Sequence, residues 1–518
     1  MLDGKIPLKQ QSGTSPGTTS VASDLQLFGA VAIFVFASTL LFYGFSYSVH
    51  QDLGGSALSG RLAVTLGESF RDYSIYFPPA EKFWFSLAAH LSSLTGLRLD
   101  LVVIAMTDIM VLFGAGLAFQ IRRATVGASP LFFISSVAVL VIIPILFKNV
   151  FGLREHMVVL GLWPYLVLRF SDQDGTRIGW RLRMVLGLWM GATLLFKTFY
   201  AVVVLLVEIT DSLIERRLFS LFRIENVTAG IVVFLYLFFW LGLDPYQREV
   251  IGAMMGTIDA NLLDRNQNWL KLAENLMPAI LMLIASCYFR IPKRLIAIAC
   301  VTVIAAALAA WSQERWYSHH LLPITMAYIA WWWIAARQFR WFINIAVALL
   351  ILLPVAVQFL NTRIYQEQSA ELEQALENDG RTVAAKRVAV LTMHPSPYNQ
   401  YLASHDALRW NPMMNIAYVA AELKPFDKME LVGKTPPVKL DDPGRLMLYD
   451  QMMRLWEDMP PDVLILDRTY RWPLRHIDID WIHVFSEQPR FNTFLKNYRP
   501  VAAYDGDRVK FTYYVRAR

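Results

Sequence analysis

The chain has few charged residues and almost no cysteine. Charged side chains make up 17% of its 518 residues, and hydrophobic side chains make up 55%. Soluble globular chains usually carry about a quarter of charged residues, so a wholly soluble fold is excluded. Cys287 and Cys300 both fall in or beside apolar segments, which gives no disulfide framework and no thiolate metal site. The sequence also contains no internal repeat, no glycine-rich phosphate loop and no zinc-type spacing.

Long apolar stretches recur from Leu25 to Leu360. Many approach the length that a helix needs to cross the hydrocarbon layer of a membrane. They predict an α-helical polytopic membrane protein with about eleven spans, several of them short. The predicted spans are residues 25–49, 100–120, 130–147, 157–169, 184–196, 198–213, 227–243, 276–289, 295–312, 321–336 and 341–360.

The basic residues indicate how these spans are oriented. The net charge of +6 comes from residues at the ends of apolar runs, where an excess of Lys and Arg marks the cytoplasmic side. The N-terminus is then cytoplasmic and the C-terminal part lies outside, which for a bacterial protein means the periplasmic face of the inner membrane. No nucleic-acid motif accompanies the charge, and membrane lipids are the expected surroundings. The basic groups are Arg122 and Arg123; Arg177, Arg181 and Arg183; Arg216 and Arg217; Lys293 and Arg294; Arg337 and Arg340.

Composition divides the chain into three parts. Residues 1–24 are polar and rich in Ser, Thr and Gly, which predicts a disordered cytoplasmic tail rather than a cleaved signal peptide. Residues 25–360 form the predicted transmembrane domain, which includes a short apolar helix at the outer interface over Phe83–Leu97. Residues 361–518 form a predicted outer α/β domain.

The outer domain shows short buried strands between helices. Arg387–Thr392 and Asp462–Asp467 are compact apolar runs flanked by charged residues or Pro, and Arg508–Val515 alternates like a closing strand. Gln366–Asn378 has the composition of a charged helix, and Leu446–Trp456 has helical spacing. These elements predict a C-terminal soluble α/β domain.

Ionisable residues collect in the predicted outer loops. Asp52 follows the first span, where it could act as a general base or hold a divalent cation, or could simply face water at a helix end. Arg154, Glu155 and His156 lie at the start of a short span. Arg suits a phosphate, while Glu or His can ligate a metal or relay a proton; alternatively Arg154 and Glu155 pair with each other. Lys197 interrupts an apolar run, where it either snorkels to the surface or contacts an anionic phosphate.

A fourth loop combines aromatic and basic residues ahead of a late span. Trp316 and Tyr317 could stack on a sugar, and His319 or His320 could line a cavity, although an aromatic belt at the membrane surface is the alternative. Adjacent residues on a helix point in different directions, so the pattern does not predict a two-histidine metal site from this pair alone. Arg315 adds a cation to the same loop.

Together these features resemble the GT-C superfamily of membrane glycosyltransferases, which includes protein O-mannosyltransferases and the lipid A aminoarabinose transferase. Tyr76–Ala80 looks like the Tyr-Pro-Pro segment of that superfamily, and Phe196–Lys197 looks like its Lys after a short span. Trp316–Pro323 is similar to its aromatic and His run. Arg154–His156 ahead of Pro164–Tyr165 resembles a bacterial subgroup.

The resemblance implies an inverting sugar transfer from a polyprenyl-phosphate carrier to an envelope glycan, lipid or protein on the outer face of the membrane. Asp52 would be the catalytic base and Glu155 the second-loop acid. A transporter or flippase for a lipid-linked substrate and a non-catalytic scaffold for envelope assembly remain the alternatives. The implied phosphate ligands are Arg154, Lys197 and Arg315; the implied cavity residues are His156, Trp316, Tyr317, His319, His320 and Tyr76; a divalent cation, Mg or Mn, would bind Asp52, Glu155 and His156.

Overall fold

The computed structural model describes a helical bundle followed by a small mixed α/β domain. The described residues are 21–46, 48–67, 79–147, 149–171, 178–242, 265–313, 316–336, 340–379, 387–392, 396–405, 437–441, 443–469 and 479–517. The bundle helices are α1 Val21–Leu41, α2 Gln51–Leu66, α3 Pro79–Thr95, α4 Leu99–Thr125, α5 Pro130–Leu146, α6 Arg154–Ser171, α7 Trp180–Leu194, α8 Ala201–Glu215, α9 Ile224–Leu237, α10 Arg265–Tyr288, α11 Lys293–Trp311, α12 Ser318–Ala335 and α13 Trp341–Asp379.

Four helices of the described chain are long and apolar enough to cross a membrane. They are Leu25–Phe45, Leu99–Thr125, Asn266–Tyr288 and Lys293–Trp311, and Pro130–Leu146 and Ile224–Trp240 are shorter apolar helices. Every predicted apolar span corresponds to a helix, so the helical membrane architecture follows from the hydrophobic pattern.

Helix α2 was not expected from the sequence, because it contains three glycines in its first ten residues. Those glycines permit close packing. A Cβ at Gly54 would lie 2.7 Å from the carbonyl oxygen of Asn399, and a Cβ at Gly60 would lie 2.4 Å from the backbone of Phe85. The helix therefore lies directly against both the C-terminal domain and α3, and tertiary packing outweighs the low helix propensity of glycine.

Helix α13 joins the two parts of the protein without a break. Its 39 residues begin with apolar sequence and end with a charged segment. The predicted last span at 341–360 and the predicted charged helix at 366–378 are thus one helix. The predicted domain boundary after residue 360 falls inside it.

The C-terminal domain is built on a four-stranded mixed sheet. The strands are β1 Val388–Leu391, β2 Val463–Asp467, β3 Tyr498–Asp505 and β4 Lys510–Arg516. Their order is β1-β2-β4-β3, with β1 parallel to β2 and both pairs involving β4 antiparallel. The predicted strands at 387–392, 462–467 and 508–515 are confirmed. The remaining helices are α14 Tyr398–Ala403, α15 Pro443–Asp458, α16 Trp481–Val484 and α17 Pro489–Leu495.

Strands β1 and β2 are covered on both faces of the sheet. Alternate residues of β2 belong to different cores: Leu464 packs with α15, α16 and α17, while Ile465 packs with α14 and the charged end of α13. A strand buried on both faces is expected to be continuously apolar, as β2 is. Helix α2 contributes Leu62 to the first core and Leu58 to the second, so the bundle is anchored in the domain.

A buried ion network, here called the far-end network, links α6, α7, α8, α9 and α11. Arg169 is fully buried and contacts Glu208 and, at 2.7 Å, Glu225. It lies about 22 Å along α6 from the start of that helix. The four arginines and four carboxylates balance in charge, so the network needs no counter-ion. Its members are Arg169, Arg183, Arg223, Arg294, Glu208, Asp211, Glu215 and Glu225.

Candidate functional site

The loop before α6 has a backbone that only a few residue types adopt readily. Asn149 has a φ of 57° and Gly152 a φ of 84°, conformations that favour Asn and Gly. The side chain of Asn149 donates to the carbonyl oxygen of Ser48 at 2.6 Å and accepts from the hydroxyl of Tyr43. The loop is thereby fixed to the end of the first span, and α6 begins at Arg154 directly after it.

Glu155 and Lys197 form a buried ion pair beside this loop. The side chain of Glu155 is 1% exposed and that of Lys197 is 7% exposed, and the ammonium of Lys197 contacts Oε1 of Glu155. Nζ of Lys197 also donates to Oε1 of Gln313 at 2.9 Å. Glu155 and Lys197, 42 positions apart in the sequence, therefore form one buried ion pair. Because the ammonium of Lys197 is buried against Glu155, Lys197 does not snorkel to the surface.

His319 and His320 both reach the same carboxylate. Nε2 of each imidazole lies 3.7 Å from Oε1 of Glu155, and the two rings are nearly perpendicular with centroids 4.4 Å apart. The expectation that the adjacent rings diverge is wrong here. Both lie in the first turn of α12, where no preceding helical turn restricts their rotamers.

Asp52 joins this group through its histidine neighbours. Its Oδ2 lies 3.9 Å from Nδ1 of His319 and 3.7 Å from Nδ1 of His50, and His50 caps α2 by accepting the Asp52 N–H at 3.1 Å. Burial disfavours the ionised carboxyl, but His50, His319 and Arg154 outweigh it and hold the pKa of Asp52 below its usual value. Asp52 is therefore ionised at neutral pH.

Arg154 does not pair with its neighbour Glu155. Its Nε contacts Oε1 of Glu81 at 2.9 Å, and the Glu81 side chain is only 3% exposed. Burial raises the pKa of Glu81, and the positive charges of Arg154 and Lys197 oppose that rise. The alternative of a closed Arg154–Glu155 pair is wrong, because each residue has a different partner on another element.

These residues, here called the outer cluster, have a buried half and an open half. Glu155, Lys197 and His320 are at most 7% exposed, whereas the side chains of Asp52 and Arg154 are 38% and 39% exposed. A ligand arriving from solvent meets Asp52 and Arg154 first. The outer cluster comprises His50, Asp52, Glu81, Arg154, Glu155, Lys197, Gln313, His319 and His320.

His156 lies apart from the outer cluster. Its Nδ1 accepts the N–H of Gly152 at 3.0 Å, its Nε2 lies 2.9 Å from the carbonyl oxygen of Leu140, and it is fully buried. Both ring nitrogens are thus occupied by backbone. The prediction that His156 lines the cavity or binds a metal is wrong; the residue holds the loop before α6 against α5.

The two aromatic residues of the fourth loop differ in position. Trp316 is buried and its indole N–H donates to Oδ1 of Asn268 at 2.5 Å, so its ring is committed to packing and not to a sugar. Tyr317 lies at the outer cluster, with its ring centroid 5.5 Å from that of His319 and 5.4 Å from that of His320. The predicted site residues Tyr76 and Arg315 lie outside the described residues.

The outer cluster contains two groups of side chains that could hold a metal ion. Two triads share His319: one adds His50 and Asp52, the other adds Glu155 and His320, and the donor atoms of each lie within 4.8 Å of one another. Mixed imidazole and carboxylate donors are typical of Zn²⁺ and other transition metals, whereas Mg²⁺ takes oxygen ligands. Nδ1 of His320, buried and without a hydrogen-bond partner among the described residues, also fits a cation-binding role.

Charge balance adds to that argument. Among the described members of the outer cluster, Asp52, Glu81 and Glu155 supply three negative charges, while Arg154 and Lys197 supply two positive charges. A phosphate would raise the excess of negative charge. A further cation, either a metal ion or a protonated histidine, would offset this excess.

Sequence reasoning missed His50, Glu81 and Gln313 as members of the site. His50 stands two residues before Asp52, but the roles of Glu81 and Gln313 depend on packing between helices and carry no spacing signal. No known protein-family model matches the chain, and none of the curated proteins matches it. The assignment of a function therefore depends on the geometry of the outer cluster.

Proposed function

We propose that the protein is a membrane glycosyltransferase that moves a sugar from a polyprenyl-phosphate carrier to an envelope glycan, lipid or protein. The observation that supports this proposal best is the convergence of an ionised aspartate, two cations and a carboxylate–histidine group at one place. These side chains come from four separate segments, the starts of α2, α6 and α12 and the residues after α7. A structural ion pair would need only two of them.

The proposed reaction is an inverting displacement. The Asp52 carboxylate accepts the proton of an acceptor hydroxyl, and the oxygen of that hydroxyl attacks the anomeric carbon of the donor. The bond from that carbon to the carrier phosphate breaks, and the phosphate leaves with the bonding electron pair. Arg154 and Lys197 stabilise the negative charge that develops on the phosphate. The exposed position of Asp52 and Arg154 suits contact with both substrates.

Three other residues position this machinery. Glu155 holds the ammonium of Lys197, and Gln313 accepts a second hydrogen bond from it. His319 lies between Asp52 and Glu155. A divalent cation, where present, would be held by His319 with Asp52 or Glu155, and it would supply positive charge to the phosphate.

The proposed setting is a bacterial inner membrane crossed about eleven times. In this arrangement the outer cluster and the C-terminal domain face the periplasm, and the far-end network lies toward the cytoplasm. Support comes from α6, which starts in the outer cluster at Glu155 and ends in the far-end network at Arg169. The polyprenyl tail of the donor would lie in lipid against the bundle.

The experiment is a transfer assay with the purified full-length protein. Radiolabelled polyprenyl-phosphate sugars are mixed with envelope glycans, and labelled product is counted for the wild type, Asp52→Asn and Glu155→Gln. Glu274→Gln is the matched control, because Glu274 is a 47% exposed surface acid. We expect Asp52→Asn and Glu155→Gln to lose transfer by at least about a hundredfold. No transfer by the wild type with any carrier-linked sugar would refute the proposal.

The alternatives give different results in the same system. A transporter or flippase would move the lipid-linked substrate across a proteoliposome membrane without forming a new glycosidic bond. A scaffold would do neither, and Asp52→Asn would leave envelope assembly unchanged in cells. Both alternatives also leave the combination of a proton acceptor and phosphate-binding cations unexplained.

A further inference from the structure

A second polar cavity lies between the bundle and the C-terminal domain. Its volume is about 470 Å³, and its walls come from the end of the first span, the start of α4, the charged part of α13, and α14 with the residue after it. It is here called the interdomain cavity. The lining residues used below are Ser48, Arg98, Asp100, Glu367, Ser369, Glu373 and Gln400.

Two buried polar atoms in the lining have unused hydrogen-bonding capacity. Gln400 is 5% exposed and Ser369 is 8% exposed. Gln400 Oε1 and Ser369 Oγ have no hydrogen-bond partner among the described residues, although Gln400 Nε2 donates to Ser396 Oγ at 3.2 Å. Burying such groups costs free energy unless a ligand or water satisfies them. Gln400 and Ser369 therefore bring unused hydrogen-bonding capacity to the wall of the cavity.

The charges of the lining disfavour an anionic occupant. Asp100 pairs with Arg98 at 2.7 Å, and Glu367 pairs with Arg508. Glu373 remains as a carboxylate beside these pairs; burial and the nearby Glu377 raise its pKa, and Arg98 opposes that rise. With Arg508 counted, three carboxylates face two arginines, and both arginines are already paired with carboxylates.

The interdomain cavity adjoins both segments that carry the proposed catalytic groups. Asn399, next to Gln400, donates to the carbonyl oxygen of Gln51 at 3.2 Å, and Gln51 precedes Asp52. Ser48 accepts a hydrogen bond from Asn149, in the loop that leads to Arg154. The cavity wall is thus joined, through Ser48 and the neighbour of Gln400, to the segments that carry Asp52 and Arg154.

We propose that the interdomain cavity binds the acceptor as a hydroxyl-rich glycan without negative charge, held by Gln400 and Ser369. The identification of the bound glycan as the acceptor rests on the proposed glycosyl transfer. The binding of a neutral glycan to the cavity does not depend on it. Neutral glycans bind through hydroxyl groups that both donate and accept, which suits an amide and a hydroxyl. The same chemistry is offered by a free oligosaccharide and by the headgroup of a neutral glycolipid, and the cavity reaches Gly44 and Phe45 at the end of the first span.

The test measures binding to the full-length protein in nanodiscs by saturation-transfer NMR. The probes are maltotriose and mannotriose as neutral sugars, trigalacturonate as the anionic counterpart, and nanodiscs with or without monoglucosyl diacylglycerol. We expect neutral probes to bind at least about tenfold more tightly than trigalacturonate, because like charges in contact are costly. If the glycolipid competes with the neutral sugars the source is a lipid headgroup, and if it does not the source is a free glycan.

Variants separate this proposal from a structural role and from the transfer reaction. Gln400→Leu should weaken neutral binding by about tenfold, while Gln451→Leu, a buried glutamine of α15 that does not line the cavity, should not. Glu373→Gln should reduce the preference against trigalacturonate and leave neutral binding unchanged. Asp52→Asn should lose transfer, while Gln400 and Ser369 still hold neutral probes in the cavity.

Three results would overturn the inference. The first is no binding of any neutral probe in free or lipid-linked form. The second is equal loss of binding in Gln400→Leu and Gln451→Leu. The third is trigalacturonate binding as tightly as maltotriose. A wild type that binds neutral probes but transfers no sugar would contradict the proposed function and leave the cavity assignment standing.

Discussion

Removing one partner of the Glu155–Lys197 pair should destabilise the protein far more than removing one partner of a surface pair. The Glu155 and Lys197 side chains are 1% and 7% exposed, so Glu155→Gln leaves an ammonium buried without its counter-charge. Breaking a buried pair in this way costs about 3–5 kcal/mol. The same chain offers a matched control, because Arg468 and Asp505 of the C-terminal domain form a pair at 2.8 Å with side chains 32% and 60% exposed, for which about 0–1 kcal/mol is expected.

The assay is thermal unfolding of purified protein in one detergent at neutral pH. Glu155→Gln and Lys197→Met should each lower the melting temperature by roughly 5 °C, and Asp505→Asn by less than about 1 °C. Combining Glu155→Gln with Lys197→Met should cost less than the sum of the single changes, since no lone charge remains buried. Equal shifts for Glu155→Gln and Asp505→Asn would show that the Glu155–Lys197 pair is hydrated, and would refute the prediction.

Three further predictions concern the outer cluster and the domain contact. Because the pKa of Asp52 is lowered, its carboxylate stays ionised as the pH falls to the usual aspartate value of about 4. A pH–rate profile should therefore show no loss of transfer rate from this group above pH ~5. A loss of rate centred near pH ~6 would contradict the assignment of Asp52 as the base. His319→Ala should reduce Zn²⁺ or Mn²⁺ bound by the protein, measured by equilibrium dialysis and elemental analysis, because both metal triads contain His319; unchanged metal content would exclude both triads. Gly54→Ala should lower the free energy of unfolding by about 1–3 kcal/mol, because its Cβ would lie 2.7 Å from the Asn399 carbonyl oxygen. Gly116→Ala is the control, because its Cβ would meet nothing within 4 Å. Equal melting temperatures for the two variants would contradict the close contact at Gly54.

The parts of the fold that could be predicted are those with a local pattern. Continuous apolar runs gave the helices of the bundle, and short apolar runs flanked by charge gave β1, β2 and β4. Strand β3 was missed because Pro500 and a register shift interrupt its pairing with β4, and its burial pattern is almost wholly exposed. Helix α2 was missed because its glycines are determined by neighbours far away in the sequence.

The residues of the candidate site also divide into those with a local sequence signal and those placed by tertiary packing. Asp52, Glu155 and Lys197 could be selected because an ionisable residue at a membrane boundary is costly and needs a reason. Their partners could not, since Glu81 and Gln313 acquire their roles from helix packing. His156 was wrongly predicted as a site residue because it is next to Glu155 in the sequence. The next position on a helix points about 100° away, and the His156 ring lies against α5 instead.

The basic clusters used for topology also have a second explanation. Arg183 and Arg294 stand where positive charge marks the cytoplasmic side, yet both are paired with carboxylates in the far-end network. A count of arginines alone therefore overstates the net charge at that end of the bundle.

The uninterrupted helix α13 constrains how this sequence can vary. Its 39 residues measure about 58 Å, and each added residue turns everything beyond it by about 100° and advances it by 1.5 Å. One extra residue would rotate the sheet of the C-terminal domain away from Gly54 and the start of α2. Insertions or deletions in natural relatives should therefore be rare between Trp341 and Asp379 and, where they occur, should come as nearly whole turns, about seven residues at a time.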